Sequence, residues 1–163
     1  MTLLGAAQIR ELAAQLDLKP SKSLGQNFVI DSNVCTKIVR TAGVTSNDIA
    51  LEIGPGLGSL TLAMLEVAQS VIAVEIDSRL AQQLPITVMQ HFEHPENLTV
   101  INMDALAVNE LPVAPTVLVA NLPYNVSVPV LLHLLEKFPT LRTGVVMVPV
   151  SYTHLTLPTI YSV

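Results

Sequence analysis

The sequence feature that most constrains the fold is an apolar run that ends in three glycines at every second position, Gly54, Gly56 and Gly58. An apolar helical pattern follows directly, so the order is strand, glycine turn and helix. Such a turn brings backbone N–H groups and a helix N-terminus beside a nucleotide-like ligand. Glycine suits it because glycine reaches positive φ and has no Cβ to push a ligand away. Ordinary βα connections use the same turn, so it does not by itself establish a ligand site.

The composition indicates one compact globular domain. The chain has 163 residues, half of them apolar, and no apolar run reaches the roughly 18 residues of a membrane span. No secretory signal pattern is found at the N-terminus, and the single cysteine, Cys35, excludes an internal disulfide and is expected to be a small core residue on a helix. We therefore expect a cytoplasmic protein without membrane contact.

The charge distribution limits the ways in which the chain can bind nucleic acid. A net charge of −5 argues against an electrostatic nucleic-acid binder as a whole, although residues 1–45 carry five basic and three acidic residues. This mildly basic segment is compatible with phosphate contacts and equally with a solvated helix face.

Two helices are predicted before the glycine turn. Apolar residues recur at helical spacing over residues 5–16. A second helix, capped by Asp31 or Ser32, is predicted to run through Arg40 and to end at Gly43. Its expected inward residues are Val34, Cys35, Ile38 and Val39.

From residue 48 onward, strands and helices alternate. The predicted strands are residues 49–53, 70–75, 98–103, 116–120 and 143–148. The predicted helices are residues 59–68, residues 78–84 with a stop at Pro85, and a helix through Lys137 with Ser127 as its cap and Pro129 in its first turn. Residues 87–97 are expected to be a loop or a short helix. The strands are continuous apolar runs, which predicts an α/β fold with a parallel sheet covered by helices.

Four predicted strand ends carry unusual residues, and ligands of open α/β sheets lie at the carboxyl ends of strands. Besides the glycine turn, these are Glu75, Asp104 and the segment Asn121–Tyr124. A carboxylate at Glu75 suits both hydroxyls of a ribose, and one at Asp104 suits an adenine amine. Helix caps and a simple turn would explain each one separately, but their agreement favours a ligand site.

A dinucleotide-binding dehydrogenase is the first alternative, because it also requires a glycine turn and an acidic residue about 20 positions later. Its fingerprint requires glycine or alanine at the position that Ser59 occupies, whereas the third glycine here is Gly58. The spacing therefore disfavours this class.

The motifs resemble those of the ribosomal RNA adenine dimethyltransferases, and within that family the bacterial small-subunit (16S) type. They are Ser23–Phe28, Glu52–Gly58, Glu75–Asp77 and Asn121–Tyr124, in family order, and the resemblance runs from about Leu16 to Val148. It implies a Rossmann-like methyltransferase fold that uses S-adenosylmethionine to dimethylate adenines of small-subunit ribosomal RNA in ribosome biogenesis.

The resemblance also implies roles for individual residues. In this family pattern Asn27 and Val29 close over S-adenosylmethionine, Gly54 and Gly56 line its pocket, Glu75 holds the ribose, Asp104 holds the adenine, and Asn121 lies between the cofactor and the target base. No metal is expected, because His91, His94 and His133 are not spaced as metal ligands.

The segment Asn121–Tyr124 suits this chemistry. The side-chain oxygen of Asn121 and the carbonyl of Leu122 can accept the two N–H groups of the adenine amine, which directs the nitrogen lone pair towards the methyl group. Pro123 stiffens the turn, and Tyr124 offers a ring face to the extruded base, with Phe28 as a second apolar contact. Catalysis of this kind depends on orientation and electrostatics and requires no strong general base.

The resemblance stops after Val148, so three segments are predicted: an N-terminal helical segment with the cofactor-closing loop (1–46), a truncated methyltransferase core (47–148) and a non-native tail (149–163). Residues 150–159 also resemble the translation of a sequencing adaptor. The sheet is expected to be incomplete at its C-terminal end, with reduced RNA affinity, while the intact protein is expected to be a monomer. Two alternatives remain open: the large-subunit enzyme of the macrolide-resistance type, and a non-catalytic binding module.

Overall fold

The computed structural model describes residues 3–18 and 31–148 of the chain. Its helices are α1 (Ala6–Gln15), α2 (Ser32–Thr41), α3 (Ser59–Leu65), α4 (Ser78–His91) and α5 (Tyr124–Lys137). Its strands are β1 (Ile49–Ile53), β2 (Ser70–Glu75), β3 (Leu98–Asn102), β4 (Val117–Asn121) and β5 (Thr143–Met147). Short 3-10 helices cover Pro95–Asn97 and Ala105–Ala107.

The five strands form one sheet in the order β3-β2-β1-β4-β5, and every neighbouring pair is parallel. This confirms the predicted parallel α/β fold. The strand order reverses direction at β1, where β2 lies on one side and β4 on the other. Since open α/β sheets bind ligands at such a switch point, the carboxyl ends of β1, β2 and β4 are the expected place for a site.

Two apolar layers cover the sheet. Strand residues alternate between the layers, so Ala73 belongs to the first core cluster and Val74 to the second. The first cluster includes the buried side chains of α1, α2, α3 and α4, and the second includes those of α5 and of the 3-10 helix Ala105–Ala107. Burial of both sheet faces explains why the strands are continuous apolar runs rather than alternating ones.

Helix α4 corrects the prediction that Pro85 would end a helix at residue 84. It continues through Pro85 to His91, so its last turns occupy part of the segment that was expected to be a loop or a short helix. Proline inside a helix costs about 3 kcal/mol because one backbone hydrogen bond is lost. Thr87 and Val88, both buried beyond the proline, supply the packing that offsets this cost.

Helix α5 also differs from the prediction at its start. It begins at Tyr124 with Pro123 as its N-cap, so Ser127 lies inside the helix and donates its hydroxyl to the Tyr124 carbonyl at 2.9 Å. Pro129 is consequently beyond the first turn. The sequence pattern placed the cap at the serine because serine is a strong N-cap residue, but the turn after β4 already directs the chain into the helix.

The remaining differences are small. Asp31 is the N-cap of α2 and accepts the Asn33 N–H, as predicted, and Cys35 is buried. Val34, expected to face inward, is 42% exposed, because the buried stripe of α2 consists of Cys35, Ile38 and Val39. Helix α3 ends at Leu65, three residues earlier than expected.

Candidate functional site

The glycine turn lies between β1 and α3, at the switch point of the sheet. All three glycines have positive φ: 73° at Gly54, 57° at Gly56 and 99° at Gly58. A Cβ built on Gly54 would lie 2.5 Å from the backbone oxygen of Asn121. Glycine is therefore required at Gly54 both by conformation and by the close approach of the end of β4.

Glu75 ends β2 and is only 4% exposed. One of its carboxylate oxygens accepts the Gly56 N–H at 3.1 Å and the other accepts the Asp77 N–H at 3.0 Å. Burial raises the pKa of Glu75, whereas these two N–H donors oppose the rise. The predicted ribose-binding carboxylate and the predicted glycine turn are thus in direct contact.

Asn102 holds the backbone at the end of β2, which the sequence did not indicate. Its side-chain amide donates to the Glu75 carbonyl at 2.8 Å and to the Ile76 carbonyl at 3.2 Å, and the Met103 N–H also reaches the Glu75 carbonyl at 3.1 Å. The sequence shows only an asparagine at the end of an apolar strand, which does not reveal its partner; the sheet pairs it in register with Glu75.

Asp104 follows β3, the strand next to β2, and is exposed. One oxygen of its carboxylate accepts the Leu106 N–H at 2.9 Å and so caps the 3-10 helix Ala105–Ala107. Asp104 therefore has the helix-capping role that the sequence indicated as an alternative for it. Its contact with an adenine amine stays a prediction.

The segment Asn121–Tyr124 joins β4 to α5. Asn121 pairs with Met147 of β5, and the N–H of the buried Leu122 donates to the Met147 carbonyl at 3.3 Å. Pro123 caps α5 and Tyr124 is its first residue. Asn121 is half-buried, and no hydrogen bond of its side-chain amide is found within residues 3–18 and 31–148.

Glu52, on β1, is a second buried carboxyl of the site that sequence reasoning left without a role. It is 1% exposed, and its carboxyl accepts the Thr61 hydroxyl of α3 at 2.6 Å. Burial raises the pKa of Glu52 to about 8, the Thr61 hydrogen bond opposes the rise, and the nearby charge of Glu75 adds to it.

Several predicted residues lie elsewhere. Asn27 and Val29, expected to close over the cofactor, and Phe28 are outside the described residues. His133 bonds the Val108 carbonyl at 2.7 Å and the exposed His94 pairs with Glu96, which fits packing and surface roles. In the described part of the chain no group of His, Cys, Asp and Glu residues forms a metal-binding cluster.

Residues 3–18 and 31–148 contain no helix with both the length and the apolar character that a membrane crossing requires.

Structures similar to this chain confirm the fold. The 23S rRNA methyltransferase ErmE has a TM-score of 0.66 at 31% identity, and the match covers 77% of this chain and 49% of that one. A dimethyladenosine transferase from Plasmodium falciparum has a TM-score of 0.64, also at 31% identity, covering 76% and 43%. The parallel sheet is therefore the Rossmann-like sheet of the methyltransferases.

Sequence comparisons extend over nearly the whole chain. The ribosomal RNA small subunit methyltransferase A of Leifsonia xyli subsp. xyli is 61% identical over 149 residues, which cover 91% of this chain and 53% of that protein. The chain thus spans about half the length of the curated relatives it matches. The family model for ribosomal RNA adenine dimethylase matches residues 18–158. With the glycine turn, Glu75 and Asn121–Tyr124 at the carboxyl edge of the sheet, and with this family match over most of its length, the chain belongs to the ribosomal RNA adenine dimethylase family.

Proposed function

We propose that the protein containing this chain transfers methyl groups from S-adenosylmethionine to the exocyclic amine of adenines in small-subunit ribosomal RNA. The observation that carries the proposal is the convergence of three separate motifs. The glycine turn contacts the Asn121 backbone on one side and the Glu75 carboxylate on the other. Residues far apart in sequence thereby form one polar rim at the switch point of the sheet.

The chain's residues fit S-adenosylmethionine as a cofactor. Gly54 and Gly56 have positive φ and carry no Cβ, so a ligand can approach the backbone of the turn closely. Glu75 retains lone pairs beyond the two N–H bonds it accepts, so it can also hold ribose hydroxyls. Asp104, one strand further along the sheet edge, would hold the adenine, and Asn27 and Val29 would cover the cofactor. When bound, the cofactor supplies an electrophilic methyl group on a sulfonium.

The segment Asn121–Tyr124 would act on the acceptor base. The side-chain oxygen of Asn121 and the Leu122 carbonyl would accept the two N–H groups of the adenine amine and so orient its lone pair. Pro123 is the N-cap of α5 and Tyr124 is its first residue, and the Tyr124 ring would stack on the base. The chemistry then rests on orientation of the amine, and no residue of the segment is required to act as a strong base.

The small-subunit RNA is the favoured substrate because the curated relative with 61% identity is named for that subunit, whereas the ErmE likeness is at 31% identity. We further propose a cytoplasmic protein that is monomeric in its intact form and binds no metal. The proposed division of the chain is unchanged: residues 1–46 as the N-terminal segment, 47–148 as the core and 149–163 as a non-native tail.

A methylation assay tests the proposal. The purified intact protein that contains this chain is incubated with S-adenosylmethionine and either small-subunit or large-subunit ribosomal RNA from cells that lack the corresponding methyltransferase, and dimethyladenosine is measured by mass spectrometry. We expect dimethyladenosine in the small-subunit RNA, and about a 100-fold slower reaction for Asn121→Ala, comparable to the loss of one positioning group in other enzymes.

The assay separates the alternatives. Product only in the large-subunit RNA would assign the macrolide-resistance type. Binding of S-adenosylhomocysteine without product in either RNA, at enzyme concentrations equal to the RNA, would assign a non-catalytic binding module.

A further inference from the structure

Glu52 is a carboxyl group in the apolar layer beneath the glycine turn. It is 1% exposed and lies near Thr61 of α3 and Glu75 of β2, which shift its pKa, and near Cys35 of α2, whose pKa is raised in part by the charge of Glu52. Cys35 and Thr61 are themselves completely buried. Glu52 therefore cannot reach a ligand in the open part of the site, and any role in binding must act through a neighbour.

The contact between Glu52 and Thr61 bridges the turn at its base. The Thr61 hydroxyl donates to the Glu52 carboxyl at 2.6 Å, and the whole turn from Gly54 to Gly58 lies between the two bonded residues. The middle of the turn is fixed separately, by the Gly56 N–H on the Glu75 carboxylate. Two carboxyl groups thus hold the turn, one at its base and one at its middle.

Stability does not explain a glutamate at this position. Among the described residues, its carboxyl accepts a hydrogen bond from Thr61, and no described cation is among the groups that shift its pKa. Burial of an acid with so little compensation disfavours the folded state, and the raised pKa of Glu52 has the same cause. Replacing both partners of a buried hydrogen bond by apolar groups of similar shape is nearly neutral or stabilising. Polar residues that disfavour the fold are expected where function requires them.

We propose that Glu52 is a positioning residue which, through Thr61, fixes the first turn of α3 against the end of β1 and so presets the glycine turn for ligand binding. That the ligand is S-adenosylmethionine rests on the proposed function. The clamp itself is a property of the free chain, since both partners and the turn belong to it.

Three variants test the clamp. The double variant E52M/T61V replaces both partners by apolar side chains of similar size. E52Q keeps an oxygen that can accept the Thr61 hydroxyl, and E66Q changes an exposed glutamate at the end of α3 as the matched control. For each variant the melting temperature, the exchange rate of the Gly56 amide proton by NMR, and the dissociation constant for S-adenosylhomocysteine are measured.

We expect stability and binding to separate in the double variant. E52M/T61V should melt at or above the wild-type temperature, while its Gly56 amide exchanges roughly tenfold faster and its S-adenosylhomocysteine affinity falls roughly tenfold, the effect of one lost hydrogen bond of average strength. E52Q should stay close to wild type in exchange and affinity, and E66Q should match wild type throughout.

Unchanged exchange and affinity in E52M/T61V would overturn the clamp, as would a loss of melting temperature that parallels the loss of affinity. Failure of the wild-type chain to bind S-adenosylhomocysteine would instead contradict the proposed cofactor, and the exchange rates would still decide whether the clamp exists.

Discussion

At the scale of single residues, Glu75 combines a structural role in the glycine turn with a proposed role in ligand binding. Its carboxylate holds the Gly56 N–H of the turn and the Asp77 N–H at the start of α4, and we propose that it also holds the ribose. We expect Glu75→Ala to abolish detectable binding of S-adenosylhomocysteine by calorimetry in a chain that still folds. Hydrogen bonds to a charged group contribute about 1.5–3 kcal/mol each, so the loss of two amounts to several kcal/mol.

The matched control is Glu66→Ala, which removes an exposed carboxylate from α3, and circular dichroism monitors the fold of both variants. A near-normal titration of Glu75→Ala would remove Glu75 from the site.

Gly54 offers a sharper test, because the chain contains a glycine with nearly the same conformation in open space. Gly43 has φ of 68° against 73° at Gly54, but a Cβ on Gly43 would meet nothing within 4 Å. We expect Gly43→Ala to lower the free energy of unfolding by about 1 kcal/mol, the cost of a left-handed alanine. Gly54→Ala should cost about 1–3 kcal/mol more, because its Cβ would lie 2.5 Å from the Asn121 oxygen. Urea unfolding measures both values, and equal losses would show that the end of β4 yields without strain.

At the scale of elements, α4 shows where sequence patterns stop being decisive. Pro85 is a strong local signal for a helix end, yet the helix continues because Val88, a full turn beyond it, is completely buried. The outcome depends on packing against α4's neighbours, which a local pattern does not contain. The strands were predicted to within a residue or so because their apolar runs record burial on both sheet faces directly.

Pro85 should therefore lower the free energy of unfolding relative to a helix-forming residue at the same position. We expect Pro85→Ala to raise the free energy of unfolding by about 1–3 kcal/mol, since it restores the N–H bond to the Ala81 carbonyl in an exposed part of α4. Gln82→Ala on the same helix serves as the control for a change of surface propensity alone. Urea unfolding at pH 7 decides, and a destabilised Pro85→Ala would mean that the proline ring itself packs productively.

Asp48 ties three elements together at the opposite, amino-terminal end of the strands. It is 3% exposed and accepts hydrogen bonds from Thr45, from Thr116 before β4 and from Arg142 before β5. Burial alone would raise the pKa of Asp48, but these hydrogen bonds outweigh it and lower the pKa to about 2. Because folding lowers the pKa of Asp48, its charged form stabilises the fold fully at pH values above 3.8, the pKa in the unfolded chain. This contribution is lost as the pH falls from 3.8 towards 2.

We therefore expect Asp48→Asn to lower the free energy of unfolding by about 2 kcal/mol at pH 7, with wild type and variant converging between pH 4 and pH 2. Urea titrations at each pH, with Asp31→Asn at an exposed cap as the control, provide the measurement. A difference that stays constant down to pH 2 would show that geometry, and not charge, supplies the contribution of Asp48.

At the scale of the whole molecule, the site is assembled from strand ends that are distant in sequence. The contacts of Glu75 with Gly56 and of Gly54 with Asn121 follow from the strand order β2-β1-β4. The sequence predicted a parallel sheet, but it did not predict this order of strands. Hydrogen bonds that cross between elements, such as those of Asn102 and of Glu52, left no signal in the sequence. A lone asparagine or glutamate in a strand does not reveal which backbone group or side chain of a neighbouring element it will meet.

The outer surface of α5 carries large apolar side chains at helical spacing. Val128, Leu132 and Leu135 are 41%, 61% and 45% exposed and lie four and three residues apart, so they form one stripe on the helix. Contiguous exposed apolar surface favours association in water. We expect the chain to associate as its concentration rises, and the double variant L132Q/L135Q to remain monomeric at concentrations where wild type does not, as measured by light scattering coupled to gel filtration.

The two leucines lie at least two helical turns beyond Tyr124, so S-adenosylhomocysteine affinity should change less than about twofold in the double variant. Glu136→Gln, an exposed change between the stripe and the end of α5, serves as the control and should associate like wild type. Association that persists in L132Q/L135Q would place the contact on another surface, and a parallel loss of ligand affinity would show that the stripe supports the fold of the site. Retained affinity with restored monomers would instead show that the binding rim and the apolar face of α5 are independent features of one domain.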